Sequence, residues 1–119
     1  MDFKGLIVYR KALEVYTQLT TRVLTIDGLD KDVKNQLRRA MMSIVLNIAE
    51  GSSRFSAADR RNFLVISRGS AFECSAVLDL VAISTAKHFP DLDMLLVEVS
   101  KMLYKMIDTL NEKQRNKGG

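Results

Sequence analysis

Polar side chains recur along one helical face in the middle of an otherwise apolar stretch. Arg39, Ser43 and Asn47 are four residues apart, and Glu50 follows three residues later, so they share a helix face. The next helical segment supplies a second carboxylate, Glu73. Two carboxylates held close together could serve as general acid and general base. An active site of this kind requires the Glu50 and Glu73 carboxylates to lie close together.

The spacing of the two helices argues against such a catalytic pair. If the chain reverses near residue 55 or 56, the helices form an antiparallel hairpin in which facing residue numbers add up to about 111. Glu50 then lies opposite Arg60 and Arg61, well over a helical turn from Glu73. We therefore predict no catalytic residues and no enzymatic activity.

The same register predicts a structural polar network between the two helices. Ser43 faces the stretch from Ser67 to Ser70, and Arg39 falls close to Glu73. We predict an Arg39–Glu73 ion pair that fixes the register of the hairpin more than its stability. Gly69, which costs about 1 kcal/mol relative to alanine in a helix interior, is expected at a close helix crossing near Ser43. The predicted network consists of Arg39, Ser43, Asn47, Glu50, Ser70 and Glu73.

Other residue types that support catalysis or metal binding are sparse. His88 is the only histidine, so the Glu-x-x-His motif of metal-binding bundles is missing, and we expect His88 at a helix end. The single cysteine, Cys74, lies among apolar residues and is interpreted as a small buried hydrophobe. The sequence has no Gly-rich phosphate loop, nucleophile elbow or Cys/His metal spacing. We predict no metal site and no cofactor.

Four long segments with helical periodicity account for most of the chain. Helices are predicted near residues 6–27, 30–51, 56–87 and 91–112, followed by a frayed tail at 113–119. The apolar stripe of the first helix is predicted to contain Tyr9, Ala12, Leu13, Tyr16, Leu19, Val23 and Leu24. Asp30 and the Ser56-Ala-Ala-Asp59 sequence supply caps for the second and third helices. Short connections favour an all-α, antiparallel up-down-up-down four-helix bundle that forms a single domain over residues 1–119.

Positive charge is concentrated in the second and third predicted helices. The net charge is +4, but the window from Lys34 to Arg68 contains seven basic and two acidic residues. Basic side chains repeated in an oligomer could bind RNA or DNA phosphates with useful avidity, although a solvated charged surface would contain the same residues. The predicted nucleic-acid contacts are Lys34, Arg38, Arg54, Arg60, Arg61 and Arg68.

The third helix is apolar over more than one stripe, which suggests contacts outside the bundle core. Either it is the central helix, or one face meets another subunit, and we favour a homo-oligomer. An alternative to nucleic-acid binding is therefore a protein-interaction scaffold that docks a partner such as a polymerase.

Length and composition indicate a globular protein. The 119 residues are 47% hydrophobic and 27% charged, enough for one core without disulfides. No secretion signal is evident, and no run approaches the roughly 18 apolar residues needed to cross a bilayer. We expect a cytoplasmic protein with no membrane partner.

Two stretches closely resemble the four-helix bundle proteins encoded by intervening sequences of bacterial 23S rRNA genes. They are "RRAMMSIVLNIAEGSSR" (Arg38–Arg54) and "FLVISRGSAFE" (Phe63–Glu73), and Tyr9 and Ala12 match as well. Ser67 stands where alanine is common in the family. The resemblance implies a bundle that forms a ring-like homopentamer, with no established enzymatic activity. The chain is also similar in architecture to accessory proteins of diversity-generating retroelements, which are basic pentameric bundles that bind a reverse transcriptase and nucleic acid.

Overall fold

The computed structural model describes residues 2–118, with side chains through residue 116. A short 3-10 helix (Asp2–Gly5) precedes four α-helices: α1 (Ile7–Arg22), α2 (Lys31–Ser53), α3 (Ala57–Thr85) and α4 (Pro90–Gly118). No strand occurs in this range. The all-α fold with four helices is therefore confirmed.

The helices are arranged as a bundle with α1 and α3 at opposite corners, because each packs against both α2 and α4. Side-chain contacts set the relative directions: Gln36 of α2 meets Glu73 of α3, and Ser43 meets Ser70. Later residues of α2 thus face earlier residues of α3, which makes the pair antiparallel. Contacts between α3 and α4 follow the same pattern.

The core lies along the inner faces of all four helices and consists of aliphatic side chains. Its largest fully buried members come from α1, α2, α4 and the connections, with Val81 from α3. The connection between α1 and α2 also contributes Val23, Ile26 and Leu29, all buried. The largest fully buried side chains are Leu19, Leu37, Met41, Ile44, Ile48, Leu92, Leu103, Val8, Val15, Val23, Val81 and Val99.

Caps begin the helices where the sequence predicts them. The Asp30 carboxylate accepts hydrogen bonds from the amides of Asp32 and Val33, and the Ser56 hydroxyl accepts one from the Asp59 amide. These bonds satisfy amides that have no partner inside the helix. α4 begins at Pro90, whose missing N–H and fixed φ suit a first helical position.

Two helix ends differ from the prediction. α1 ends at Arg22 instead of continuing to residue 27, because the chain turns to bury Ile26 and Leu29, and Gly28 adopts a left-handed φ of 77°. The tail was expected to fray from residue 113, but α4 continues to Gly118. Residues 112–115 are Glu, Lys, Gln and Arg, which all favour helix.

The apolar stripe of α1 is rotated from its predicted position. Ala12 and Leu19 are buried as expected, but they are joined by Val8 and Val15. Leu13 and Tyr16 are instead 40% and 37% exposed. Leu13 and Tyr16 of the predicted stripe therefore lie partly on the surface.

The close approach of α2 and α3 occurs at Gly51 and not at the predicted Gly69. A Cβ atom on Gly51 would lie 3.2 Å from the Cβ of Phe63 and 3.4 Å from the carbonyl oxygen of Arg60. A Cβ atom on Gly69 would have no neighbour within 4 Å. Gly51 therefore permits the tight end of the α2–α3 hairpin, whereas Gly69 lies on an open helix surface.

Alanine substitutions at Gly51 and Gly69 should change the stability of the protein in different ways. Gly69→Ala should stabilise the protein by about 0.5–1 kcal/mol, because alanine favours helix and meets no obstacle. In Gly51→Ala the same gain is offset or exceeded by overpacking, which costs about 1–3 kcal/mol. Denaturant unfolding of both variants measures the difference. A Gly51→Ala protein as stable as Gly69→Ala would contradict the close contact.

Cys74 is buried in the core, where it is 0% exposed. Burial, with a smaller contribution from the Glu73 charge, raises the pKa of the Cys74 thiol to about 12. The thiolate is the nucleophilic form of cysteine, so at neutral pH this side chain is a packing group.

The Cys74 thiol should be unreactive in the folded protein. We expect no labelling by a thiol-specific disulfide reagent at pH 7–9 in native buffer and one equivalent in denaturant, because unfolding restores the ordinary pKa and gives access. Fast labelling of the native protein at pH 7 would show an exposed, activated thiol instead.

Candidate functional site

A seam of hydroxyl and amide groups joins α2 to α3. The Ser70 hydroxyl donates to Ser43 Oγ at 2.7 Å, and the Asn47 amide donates to the Ser43 carbonyl and Oγ at 2.8 and 3.0 Å. Ser67 is fully buried and donates to the Ile44 carbonyl at 2.8 Å. We call these four polar side chains (Ser43, Asn47, Ser67, Ser70) the interhelical seam. Its polar groups bond to one another and to backbone, so it is built as a packing contact.

The predicted Arg39–Glu73 ion pair is wrong. Glu73 Oε2 instead accepts a hydrogen bond from Gln36 Nε2 at 2.9 Å, one helical turn earlier in α2. Arg39 forms no ion pair within the described residues, and both Arg39 and Glu73 are exposed. Water solvates both charges there, so burial does not force them to pair.

The two carboxylates that could have formed an acid–base pair lie far apart. Glu50 is exposed near the end of α2, where it pairs with Arg54 at 3.1 Å and accepts a bond from Ser53. Glu73 lies opposite Gln36, which is about 21 Å from Glu50 along α2 at 1.5 Å per residue. The geometry gives these carboxylates no shared site.

The six predicted nucleic-acid contacts fall into three separate places. Lys34 and Arg38 lie in the first turns of α2, about 24–30 Å along the helix from Arg54. Arg68 lies in the middle of α3, facing α4. The remaining three, Arg54, Arg60 and Arg61, come together where α2 turns into α3. We call this region the basic end of the bundle.

Hydrogen bonds hold the arginines of the basic end in place. Arg60 Nε donates to the Arg54 carbonyl at 2.6 Å, and Arg61 Nε donates to Asn111 of α4. In both residues the two η nitrogens make no hydrogen bond within the described part of the chain. Arg54 lies over the Phe63 ring, 4.7 Å from its centroid. Arg54 is already paired with Glu50 at 3.1 Å, so the oriented guanidinium groups with free donors at the basic end are those of Arg60 and Arg61.

An open cleft of about 570 Å³ lies next to these arginines. Among the described residues its basic side chains are Arg60 and Lys113, and none of the lining residues in that range is acidic. The full lining consists of Phe55, Ser56, Ala57, Ala58, Arg60, Leu110, Lys113 and Gln114. Two of these residues were not predicted from the sequence. Lys113 lies some fifty residues from Arg60 in the chain, and no periodic pattern indicates that Phe55 is exposed.

Arg68 is placed differently from the other arginines. Its guanidinium lies 4.7 Å from the Phe72 ring centroid and 5.3 Å from that of Tyr104. Arg68 Nε is buried and has no hydrogen-bond partner among the described residues. The cation is thus held between two aromatic side chains on the outer surface of α3 and α4.

The structure contains no group of three or more His, Cys, Asp or Glu residues, within its described range, that could hold a metal ion. His88, the only histidine, lies in the connection between α3 and α4. Within the same range, no helix is long and apolar enough to span a bilayer.

Comparison with solved structures gives a similar bundle. The crystal structure of a protein of unknown function from the S23 ribosomal protein family of Bacteroides thetaiotaomicron superposes with a TM-score of 0.77 and 24% sequence identity. The alignment covers 85% of this chain and 98% of that one. At this identity the similarity shows the fold. Comparison with curated proteins gives no match.

The sequence profile of a protein family matches most of the chain. The matched residues are 4–105, which include the interhelical seam and the basic end up to Arg61. The family is described as the 23S rRNA-intervening sequence proteins. Because the match spans well over half of the 119 residues, the chain belongs to the 23S rRNA-intervening sequence protein family.

Proposed function

We propose that this protein is a non-enzymatic, self-associating bundle that binds nucleic acid through its basic end. The observation that carries the proposal is the position of Arg54, Arg60 and Arg61 at the α2–α3 turn, where Arg60 and Lys113 line a cleft to which the described residues contribute no acidic side chain. The family description refers to 23S rRNA intervening sequences and does not state a ligand. Charge and geometry therefore support the proposal more directly than the family name.

The oriented guanidinium groups suit phosphate oxygens. Arg60 and Arg61 are each anchored through Nε, so their planar η donors are partly preorganised for an anion. Three or four cations make only a weak site in a single subunit. Repetition of the site in an oligomer would raise the overall affinity by avidity, which is why self-association is part of the proposed function.

Binding should depend on salt and on the basic end. We expect the wild type to bind short RNA or DNA oligonucleotides at low salt, with log K falling linearly as log salt rises. Arg60→Gln/Arg61→Gln should bind more weakly and lower the slope by about 0.7 for each lost phosphate contact with a single strand. Fluorescence anisotropy over a salt series measures both quantities.

A matched control removes two positive charges at the other end of α2. Lys34→Gln/Arg38→Gln has the same net charge as the first variant, and it should keep most of the wild-type affinity. Circular dichroism checks that all variants fold. Absence of binding at low salt would refute the proposed function, and equal losses in both variants would show that net charge matters and the basic end does not.

A second candidate function is assembly or partner docking through α3. It is favoured by the cluster of Arg68, Phe72 and Tyr104. Phe72 and Tyr104, which hold Arg68, are 55% and 59% exposed. Val65 and Ile83 extend the same outer surface of α3, with exposures of 41% and 83%. Exposed apolar patches with aromatic residues and arginine are typical of protein interfaces. We infer that this surface meets other copies of the chain, and the pentamer implied by the family resemblance remains part of the proposal.

Disrupting this surface should reduce the molecular mass of the protein assembly in solution. We expect an oligomer for the wild type and a smaller species for Phe72→Glu, because a carboxylate buried in an apolar contact is costly. Ile7→Glu is the matched control: Ile7 is 58% exposed and belongs to α1, at the opposite corner. Light scattering measures the mass. A monomeric wild type would refute self-association, and an oligomeric Phe72→Glu would exclude this surface.

A further inference from the structure

Phe55 is the most exposed large apolar side chain of the described residues, with a relative exposure of 102%. It lies in the α2–α3 connection, between the C-terminal cap Arg54 and the N-terminal cap Ser56. Removing an apolar ring from water is favourable, yet this ring is fully exposed to it. Its complete exposure therefore requires an explanation.

The connection that carries Phe55 is held rigidly. The Arg54 amide donates to the Gly51 carbonyl at 3.2 Å, and the Arg54 carbonyl accepts from Arg60 Nε at 2.6 Å. On the other side, the Ser56 hydroxyl caps α3 through the Asp59 amide at 3.1 Å. Because both neighbours are fixed, the ring is presented from a defined backbone position.

The surroundings of Phe55 combine an apolar surface with positive charge. Phe55 lines the cleft of about 570 Å³, which also contains Leu110 as an apolar residue and the cations of Arg60 and Lys113. Within the part of the chain that the structure describes, its lining contains no acidic residue. The volume is within the range of about 300–1,000 Å³ that small-molecule sites occupy.

We propose that Phe55 is a stacking platform for an unpaired nucleobase, and that the basic end therefore selects single-stranded over double-stranded nucleic acid. This inference rests on the proposed nucleic-acid binding and names its substrate class. An aromatic ring stacks on any exposed base, while adjacent cations contact the phosphates. In a duplex the base faces are covered by their neighbours, so Phe55 finds no partner there. A purely apolar protein partner would explain the ring but not the Arg60 and Lys113 cations that line the same cleft.

Substitutions at Phe55 distinguish stacking from apolar contact. Phe55→Leu keeps an apolar side chain but removes the ring, and it should lower the affinity for a single-stranded oligonucleotide about tenfold, within the range caused by loss of a stacking aromatic. Phe55→Tyr keeps the ring and should retain wild-type affinity. Affinity for a duplex of the same sequence should be weaker than for the single strand and equal in all three proteins. Fluorescence anisotropy at low salt measures these affinities.

A direct spectroscopic signal is available because the chain contains no tryptophan. Phe55→Trp introduces one indole at the proposed site, and stacking on a base should quench its fluorescence when the single strand is added. Duplex should leave the emission unchanged. This readout would not move if Phe55 had only a structural role.

The outcomes separate this inference from the proposed function. The stacking site is refuted if the wild type binds nucleic acid but Phe55→Leu binds the single strand equally well, or if the indole is not quenched. In either case the proposal that the basic end binds nucleic acid is unaffected. If the wild type binds no nucleic acid at low salt, both proposals fail. If Phe55→Leu changes the mass of the assembly, the ring packs between subunits and the stacking site is likewise overturned.

Discussion

The packing of α2 against α3 determines where every other feature of the bundle lies. At one end, Gly51 allows the backbone of α2 to approach Arg60 and Phe63, because any Cβ there would meet α3 at 3.2–3.4 Å. Midway along the pair, the Ser43–Ser70 hydrogen bond fixes the register. A shift of the hairpin by one residue would remove this bond and rotate the exposed surface of α3. The tight end also forces a short connection, which places Arg54 and Phe55 next to the first turn of α3.

Periodicity and turn chemistry predicted the fold and the approximate register, because both depend on interactions that are local or repeated along the chain. Details that depend on exposure could not be obtained this way. Arg39 and Glu73 have opposite charges and nearly opposite positions, yet water solvates both and Gln36 occupies the nearer position. Gly69 and Gly51 look alike as helix glycines, and only the distance to the neighbouring helix distinguishes them.

For the candidate site as well, the sequence pattern did not predict which residues lie together. The window from Lys34 to Arg68 has seven bases and two acids, but it folds as a hairpin in which Lys34 lies about 30 Å along α2 from Arg54. Proximity in sequence therefore groups residues that the fold separates. Conversely, Lys113 joins Arg60 only because α4 runs back along α3 to the same end of the bundle. Arg68 was grouped with the other basic residues because of its charge, but it lies between Phe72 and Tyr104 on the outer surface of α3 and α4.

This separation lets α3 contribute to two different surfaces without conflict. Its first turn supplies Arg60 and Arg61 to the basic end, whereas Phe72 and the residues around it face outward about 17–18 Å further along the helix. Contact with another subunit through the outer surface would leave the first turn accessible. Each added copy would then add one more basic end at a fixed distance from the last. If the basic end binds phosphates as proposed, such repetition would raise its affinity, so the apolar surface and the basic end are compatible with a single assembly.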